Sequence, residues 1–326
     1  MPRILSRDEV TRLLSMADAI RVVEQALIEF SAGEAVMPVR GTTAVPPHRG
    51  LLLTMPAYLS RSDALATKMV TVYPQNPARG LPVILAVIVV FDPQSGAPLA
   101  IMDGVHVTAV RTAAASAVAT KYLAREDARV LGIIGTGVQG ASHLWAMREV
   151  RPVERAVVFN RTRAKAEEFA QAMQAQHGVP VAVADSAEEV ARAADVLVLA
   201  TSATEPVIRA AWLKPGCHIN AIGTHTPTMR ELDSDTVARA RVVVDSRDAN
   251  RVECGDLLIP MQEGRISLEH FADEVGEVAS GRKPGRRSLD ELTIFKSVGI
   301  AVEDAATGAL VYQRALQQGA GTEVAL

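Results

Sequence analysis

Cysteine is scarce in this chain: Cys217 and Cys254 are the only two among 326 residues, and neither belongs to a CxxC pair. That excludes a disulfide framework and the thiolate motifs of zinc or redox sites, and it points to the cytoplasm as the compartment. Long apolar runs are missing as well. The longest, about Val83 to Phe91, is too short to cross a bilayer as a helix, and the N-terminus meets charge at once, unlike a signal peptide. No membrane is expected. Nor does either sign of charge dominate, since 34 basic and 37 acidic residues leave a formal net charge of −3 without a long run of either. Such a surface carries no electrostatic footprint for nucleic acid. His48, His143, His177 and His270 lack ligand spacing with one another, so no metal site is expected. The partner these exclusions leave is a small molecule, and a chain of this length with 48% hydrophobic residues suits two domains better than one.

The N-terminal half begins with helices. Ser6 and Glu9 have the spacing of a capping box ahead of Val10, Leu13 and Leu14, and Ser15 with Asp18 restarts the pattern toward Phe30 and a stop at Gly33. From about Leu51 to Asp103 short apolar runs alternate with Gly, Pro, Asn, Asp and Ser clusters, which predicts an antiparallel meander. Thr108 is placed to cap a helix running to Leu123. After Asp127 strands and helices alternate, the sequence form of a parallel, doubly wound α/β sheet, and Leu289 to Gln317 reads as helical. His218, in a strand ahead of Asn220, reads as a packed residue.

Gly135-Thr136-Gly137-Val138-Gln139-Gly140 matches GxGxxG directly after the apolar strand Val130 to Ile134 and before a helical pattern. Glycines there permit a tight turn and let the backbone approach a pyrophosphate, whose charge is received by the free N–H groups of a helix N-terminus. This context predicts a Rossmann domain that binds a nicotinamide dinucleotide. The end of the second strand discriminates between cofactors, because an acid there would bind a ribose 2′-hydroxyl and repel a 2′-phosphate. Asn160, Arg161 and Thr162 stand at that point with no acid, so NADP is favoured over NAD. The competing reading of Arg161 is a solvated residue at a helix start.

The chain resembles the ornithine cyclodeaminase/mu-crystallin family along nearly its whole length. The resemblance is carried by Met37 to Arg40, Met55-Pro56, Lys68, Met102 to Gly104, Thr108 to Thr112, Gly135 to Gly140, Ile219 to Gly223, Glu231 to Asp233, Gly255-Asp256 and Phe295 to Gly299. It implies a substrate-binding, dimer-forming domain of residues 1–125 with 301–326, a central Rossmann domain of residues 126–300, an active site between them and a homodimer. It also implies that Arg40, Lys68 and Arg111 hold the substrate carboxylate near the nitrogen-bearing carbon. Arg111, Thr112 and Ser297 fall on family positions near the dinucleotide, and Asp256 falls on one as well.

Two positions depart from the ornithine cyclodeaminase pattern. His225 stands where those enzymes carry a catalytic aspartate, and Leu53 stands where a carboxylate reads the substrate's second amine. A distal ammonium against Leu53 would be buried without a charge partner. What remains suits a simpler reaction, the NAD(P)H-dependent reduction of a cyclic imino acid such as pyrroline-2-carboxylate or piperideine-2-carboxylate, with Lys68 or His225 handling the proton. Three alternatives stay open: a cyclodeaminase that recycles its NAD, an alanine-type amino-acid dehydrogenase, and a binding protein without turnover.

Overall fold

The computed structural model describes residues 1–325. The chain forms two compact units, one of Met1–Arg111 with the C-terminal segment from Ile300, the other of Thr112–Gly299.

In the first unit, β1 (Arg3–Leu5) leads into α1 (Arg7–Leu13) through the expected capping box. Ser6 accepts the Glu9 N–H at 3.4 Å, and Glu9 Oε2 accepts the Ser6 N–H at 2.8 Å. Ser15 caps α2 (Met16–Ser31), which buries Ala19, Ile20, Val23, Ala26 and Leu27 on one face. There follow β2 (Ala35–Val36), β3 (Gly41–Val45), β4 (Gly50–Leu59), β5 (Ala64–Val72), β6 (Ile84–Phe91) and β7 (Pro98–Asp103). The run β4–β5–β6–β7 is the anticipated antiparallel meander. Strand β3, short and threonine-rich, carries no apolar alternation and was not foreseen; it pairs with β4. Helix α3 (Gly104–Leu123) begins earlier than expected. Its starting cap is the carboxylate of Asp103, which accepts the His106 N–H at 2.8 Å, so Thr108 lies inside the helix rather than at its start. The division between the two units falls inside α3, a continuous helix with no break in composition to mark the change.

The C-terminal helix α11 (Ala301–Gln318) packs on α2 and across β4, β5 and β6, and β16 (Thr322–Glu323) pairs antiparallel with β1. Gly308 lets this helix approach the sheet: a Cβ there would lie 3.2 Å from Ile88 and 3.3 Å from Val90.

The second unit runs through β8 (Val130–Ile134), α4 (Val138–Val150), β9 (Arg155–Phe159), α5 (Arg163–His177), β10 (Val181–Val183), α6 (Ala187–Ala193), β11 (Val196–Leu199) and β12 (His218–Ala221). It continues with α7 (Ser234–Arg239), β13 (Arg241–Val244), α8 (Arg247–Glu253), α9 (Gly255–Gln262), β14 (Asp273–Glu274), α10 (Val275–Ala279) and β15 (Thr293–Lys296). All pairs are parallel, in the order β10–β9–β8–β11–β12–β15–β13–β14. The order reverses between β8 and β11, the place where doubly wound sheets open a crevice for ligands. The expectation of a helix from Leu289 is corrected here, because Thr293–Lys296 is an interior strand between β12 and β13. Polar residues at both of its ends hid it, yet Thr293 and Lys296 are fully buried and satisfied inside the unit.

No helix of the described residues is long and apolar enough to cross a membrane.

Candidate active site

Alternation along β5 puts Ala64, Ala66, Lys68 and Val70 on the inward phase of the strand, so an ammonium occupies a core position. Its register partners on β4 and β6 are Met55 and Ile88, which offer it no hydrogen bond. The partner comes from α11: Lys68 Nζ donates to Asp304 Oδ1 at 3.0 Å and lies 2.8 Å from Oδ2. Arg111, on α3, donates from Nε to the same Asp304 oxygen at 3.1 Å and from Nη1 to Glu303 Oε2 at 2.6 Å. Lys68 and Asp304 are each 1% exposed, Glu303 0% and Arg111 5%. Two cations and two anions thus form a buried cluster with no net formal charge. Isolated, each ion would cost several kcal/mol to bury, and the pairing offsets that cost. Burial, reinforced by the Arg111 charge and opposed by Asp304, pulls the Lys68 ammonium down to about 8, within reach of neutrality.

The cluster unites two of the expected residues, Lys68 and Arg111. Arg40 stands half-buried in the segment just before β3. Asp304 and Glu303 were missed by sequence reasoning, since acids in the first turn of a helix read as ordinary favourable charges near its N-terminus. Leu53 is buried on β4, opposite Val70 of β5.

In the second unit the glycine turn has the geometry its sequence predicts. Gly135 adopts φ 105°, and a Cβ there would run into the Ala200 carbonyl oxygen at the end of β11. A Cβ on Gly140 would strike the Gly135 carbonyl oxygen, whereas one on Gly137 would meet nothing within 4 Å. Gly137 is the N-cap of α4 and provides no side-chain cap, so the first N–H groups of the helix remain open to an incoming anion. Val138, the first helical residue, is exposed, and the Gln139 carbonyl accepts from His143 Nδ1 at 2.7 Å. Asn160 ties the neighbouring strand end together: its Nδ2 donates to Thr136 Oγ1 at 2.8 Å and its Oδ1 accepts the Thr162 N–H at 2.9 Å. Arg161 is exposed beside it, and Thr112 is buried on α3. A dinucleotide therefore fits the turn by shape, open N–H groups and a nearby guanidinium.

A second buried network shapes the loop after β12. Glu231 Oε1 accepts from the Thr201 N–H and hydroxyl, both at 2.7 Å, and Oε2 accepts the Gly223 N–H at 2.8 Å. Burial pushes the Glu231 carboxyl up to about 7, opposed by the Lys296 charge. Asp256 accepts the N–H groups of Glu231 and Leu232 at 2.7 and 2.9 Å and pairs with Lys296 Nζ at 2.9 Å. Lys296 Nζ also donates to the Thr224 carbonyl at 2.8 Å, and the surrounding anions raise its ammonium above the ordinary lysine range. This fixes Thr224, and His225 follows it exposed in the loop. Ser297 donates to Asp245 Oδ2 at 2.8 Å, which also accepts the N–H groups of Val298 and Gly299 at 2.9 and 2.8 Å. In this structure the Ser297 hydroxyl holds the shape of its own loop. His218 is buried and bonded to Thr293 Oγ1 at 2.9 Å, a packed residue as expected. Among the described residues no group of three or more His, Cys, Asp or Glu is placed to hold a metal ion.

Comparison with known proteins finds relatives along nearly the whole chain. The chain is 41% identical to a Bacillus cereus Delta(1)-pyrroline-2-carboxylate reductase over 322 residues, covering 98% of this chain and 99% of that protein. It is 43% identical to the rat ketimine reductase mu-crystallin over 315 residues, covering 95% and 96% respectively. The solved structure of Thermococcus litoralis Delta(1)-pyrroline-2-carboxylate reductase, in complex with NADH and L-proline, matches with a TM-score of 0.97 at 46% identity, covering 99% of this chain and 100% of that one. The profile of the ornithine cyclodeaminase/mu-crystallin family matches residues 1–319, and the chain belongs to that family.

Proposed function

We propose that this protein is an NAD(P)H-dependent ketimine reductase that converts a cyclic imino acid of the pyrroline-2-carboxylate or piperideine-2-carboxylate type into the cyclic amino acid. The observation that carries the reading is the buried Lys68–Asp304–Arg111–Glu303 cluster, which holds an ammonium able to give up its proton near neutral pH. A bound reduced nicotinamide supplies hydride to the C=N carbon. Arg40, Lys68 and Arg111 hold the substrate carboxylate, a guanidinium fork matching its two oxygens. Lys68 protonates the ring nitrogen, with His225 as a second candidate for proton relay. In sum, imine, NAD(P)H and one proton give amino acid and NAD(P)+. Leu53, buried and apolar, disfavours ornithine and lysine, whose second ammonium would find no partner there.

The dinucleotide is held by the turn Gly135, Thr136, Gly137, Val138 and Gln139, with Asn160, Arg161 and Thr162 at the adenosine ribose and Arg111, Thr112 and Ser297 toward the nicotinamide. We assign NADP(H) as the preferred form because Arg161 is exposed at the end of β9 with no acid beside it. Arg161→Ala should raise KM for NADPH about 10- to 100-fold, the worth of a charged hydrogen bond. KM for NADH should stay unchanged. Equal effects on both cofactors would remove Arg161 from the 2′-phosphate site. The protein works as a homodimer in the cytoplasm; exposed Met69, Ile84, Leu85 and Val87 on β5 and β6 support the first, and two buried free thiols the second. Oxidation of NADPH followed at 340 nm with pyrroline-2-carboxylate tests the activity directly.

A further inference from the structure

Both cations of the buried cluster lean on one carboxylate. Asp304 Oδ1 receives Lys68 Nζ at 3.0 Å and Arg111 Nε at 3.1 Å, while Glu303 receives only Nη1 of Arg111 among these contacts, at 2.6 Å. The helix that carries Asp304 is brought close by Gly308, one turn further along the same face, where a larger residue would press on Ile88 and Val90 of β6. The charged groups that face Lys68 are Arg111 from α3 and Asp304 and Glu303 from α11, whereas β4 and β6 present Met55 and Ile88.

We propose that Asp304 is a positioning residue: its shared carboxylate holds the Lys68 ammonium and the Arg111 guanidinium as one unit and sets the protonation state of Lys68. The geometry gives this residue two duties that Glu303 lacks. It is the anion in contact with the ammonium, and it fixes where the ammonium stands relative to the guanidinium. The two acids differ by one position on α11, so they offer an internal comparison within the same buried environment. The functional half of the proposal rests on the reductase reading above; the titration half does not.

The test is a pH titration of Lys68 Nζ by nitrogen-15 NMR in the ligand-free protein, with the signal assigned by its loss in Lys68→Arg. Wild type should titrate near 8. Asp304→Asn should lower the midpoint by about one to three pH units, the effect of removing an opposite charge in contact. Glu303→Gln should lower it less, and Asp304→Glu should restore most of the wild-type value. Asp304→Ser replaces the amide variant if that does not fold. The basic limb of imine reduction should move in parallel with the midpoint. An unmoved midpoint without the Asp304 carboxylate, or an equal movement in Glu303→Gln, overturns the proposal. A wild-type protein that titrates as expected but reduces no cyclic imine would overturn the reductase reading and leave the Asp304 assignment standing.

Discussion

Replacing Lys68 with Met should lower kcat for cyclic-imine reduction by about 10²- to 10⁴-fold, the usual contribution of a positioned proton donor. Dinucleotide affinity should change far less, because the glycine turn from Gly135 to Gly140 is shaped without Lys68. The pH profile carries the stronger signature. With Lys68 as the proposed proton donor, imine reduction needs its protonated form, and burial has brought Lys68 down to about 8, so kcat should fall above that pH with the slope of a single proton. Lys68→Met should lose this limb along with the rate. The linkage has a definite sign too. The unfolded chain binds this proton near 10.5 and the folded one only near 8. The folded state therefore loses stability as pH falls from 10.5 toward 8, and below that the loss is complete. Steady-state kinetics from pH 6 to 10, with dinucleotide binding followed by fluorescence, would check both halves. An undiminished kcat in Lys68→Met would remove Lys68 from the chemistry.

The second large effect concerns stability. Arg111→Met should cost about 3–5 kcal/mol, because it leaves buried carboxylates without the donor that compensated them. Glu303 loses its 2.6 Å partner and Asp304 keeps only Lys68 of the two cations that share it. Adding Glu303→Gln to Arg111→Met should recover part of the loss, since one of the buried negative charges that faced the guanidinium is then gone. The sum of the two single changes should thus exceed the double change. Urea unfolding of the four proteins measures this cycle, and simple additivity would show that the pair does not act as one unit. If Arg111 holds the substrate carboxylate as proposed, the same variant should also raise KM for the imino acid.

How much of this was legible beforehand depended on whether local chemistry decided the structure. Ser6, Ser15 and the glycines of the turn impose their geometry through their immediate neighbours, and each stands as its spacing implied. Arg241–Val244 is a run of the kind parallel sheets bury, and it forms β13 with the anticipated limits. What escaped depends on distant partners. Thr293–Lys296 is interior only because Asp256 and Thr224 receive the lysine and the Leu123 carbonyl receives the threonine hydroxyl. Lys68 occupies an inward strand position only because Asp304, 236 residues away in sequence, supplies the counter-charge. Acids in the first turn of α11 look the same whether they face solvent or a buried cation. The start of α3 moved for a smaller reason: Asp103 ends a strand and caps the helix at once, while Thr108 merely had the right chemistry one turn later. Lys68 and Arg111 entered the sequence reading through family motifs, and the structure adds the acids that make them a cluster.

The most direct test of the account is to follow the hydride. With NADPH carrying two deuteriums at C4 of the nicotinamide and pyrroline-2-carboxylate as substrate, the product should be proline with one deuterium at C2, formed in step with cofactor oxidation. Ornithine converted to proline and ammonia with no net oxidation of cofactor, and no deuterium uptake from the imine reaction, would contradict it and make the protein a cyclodeaminase despite Leu53 and His225.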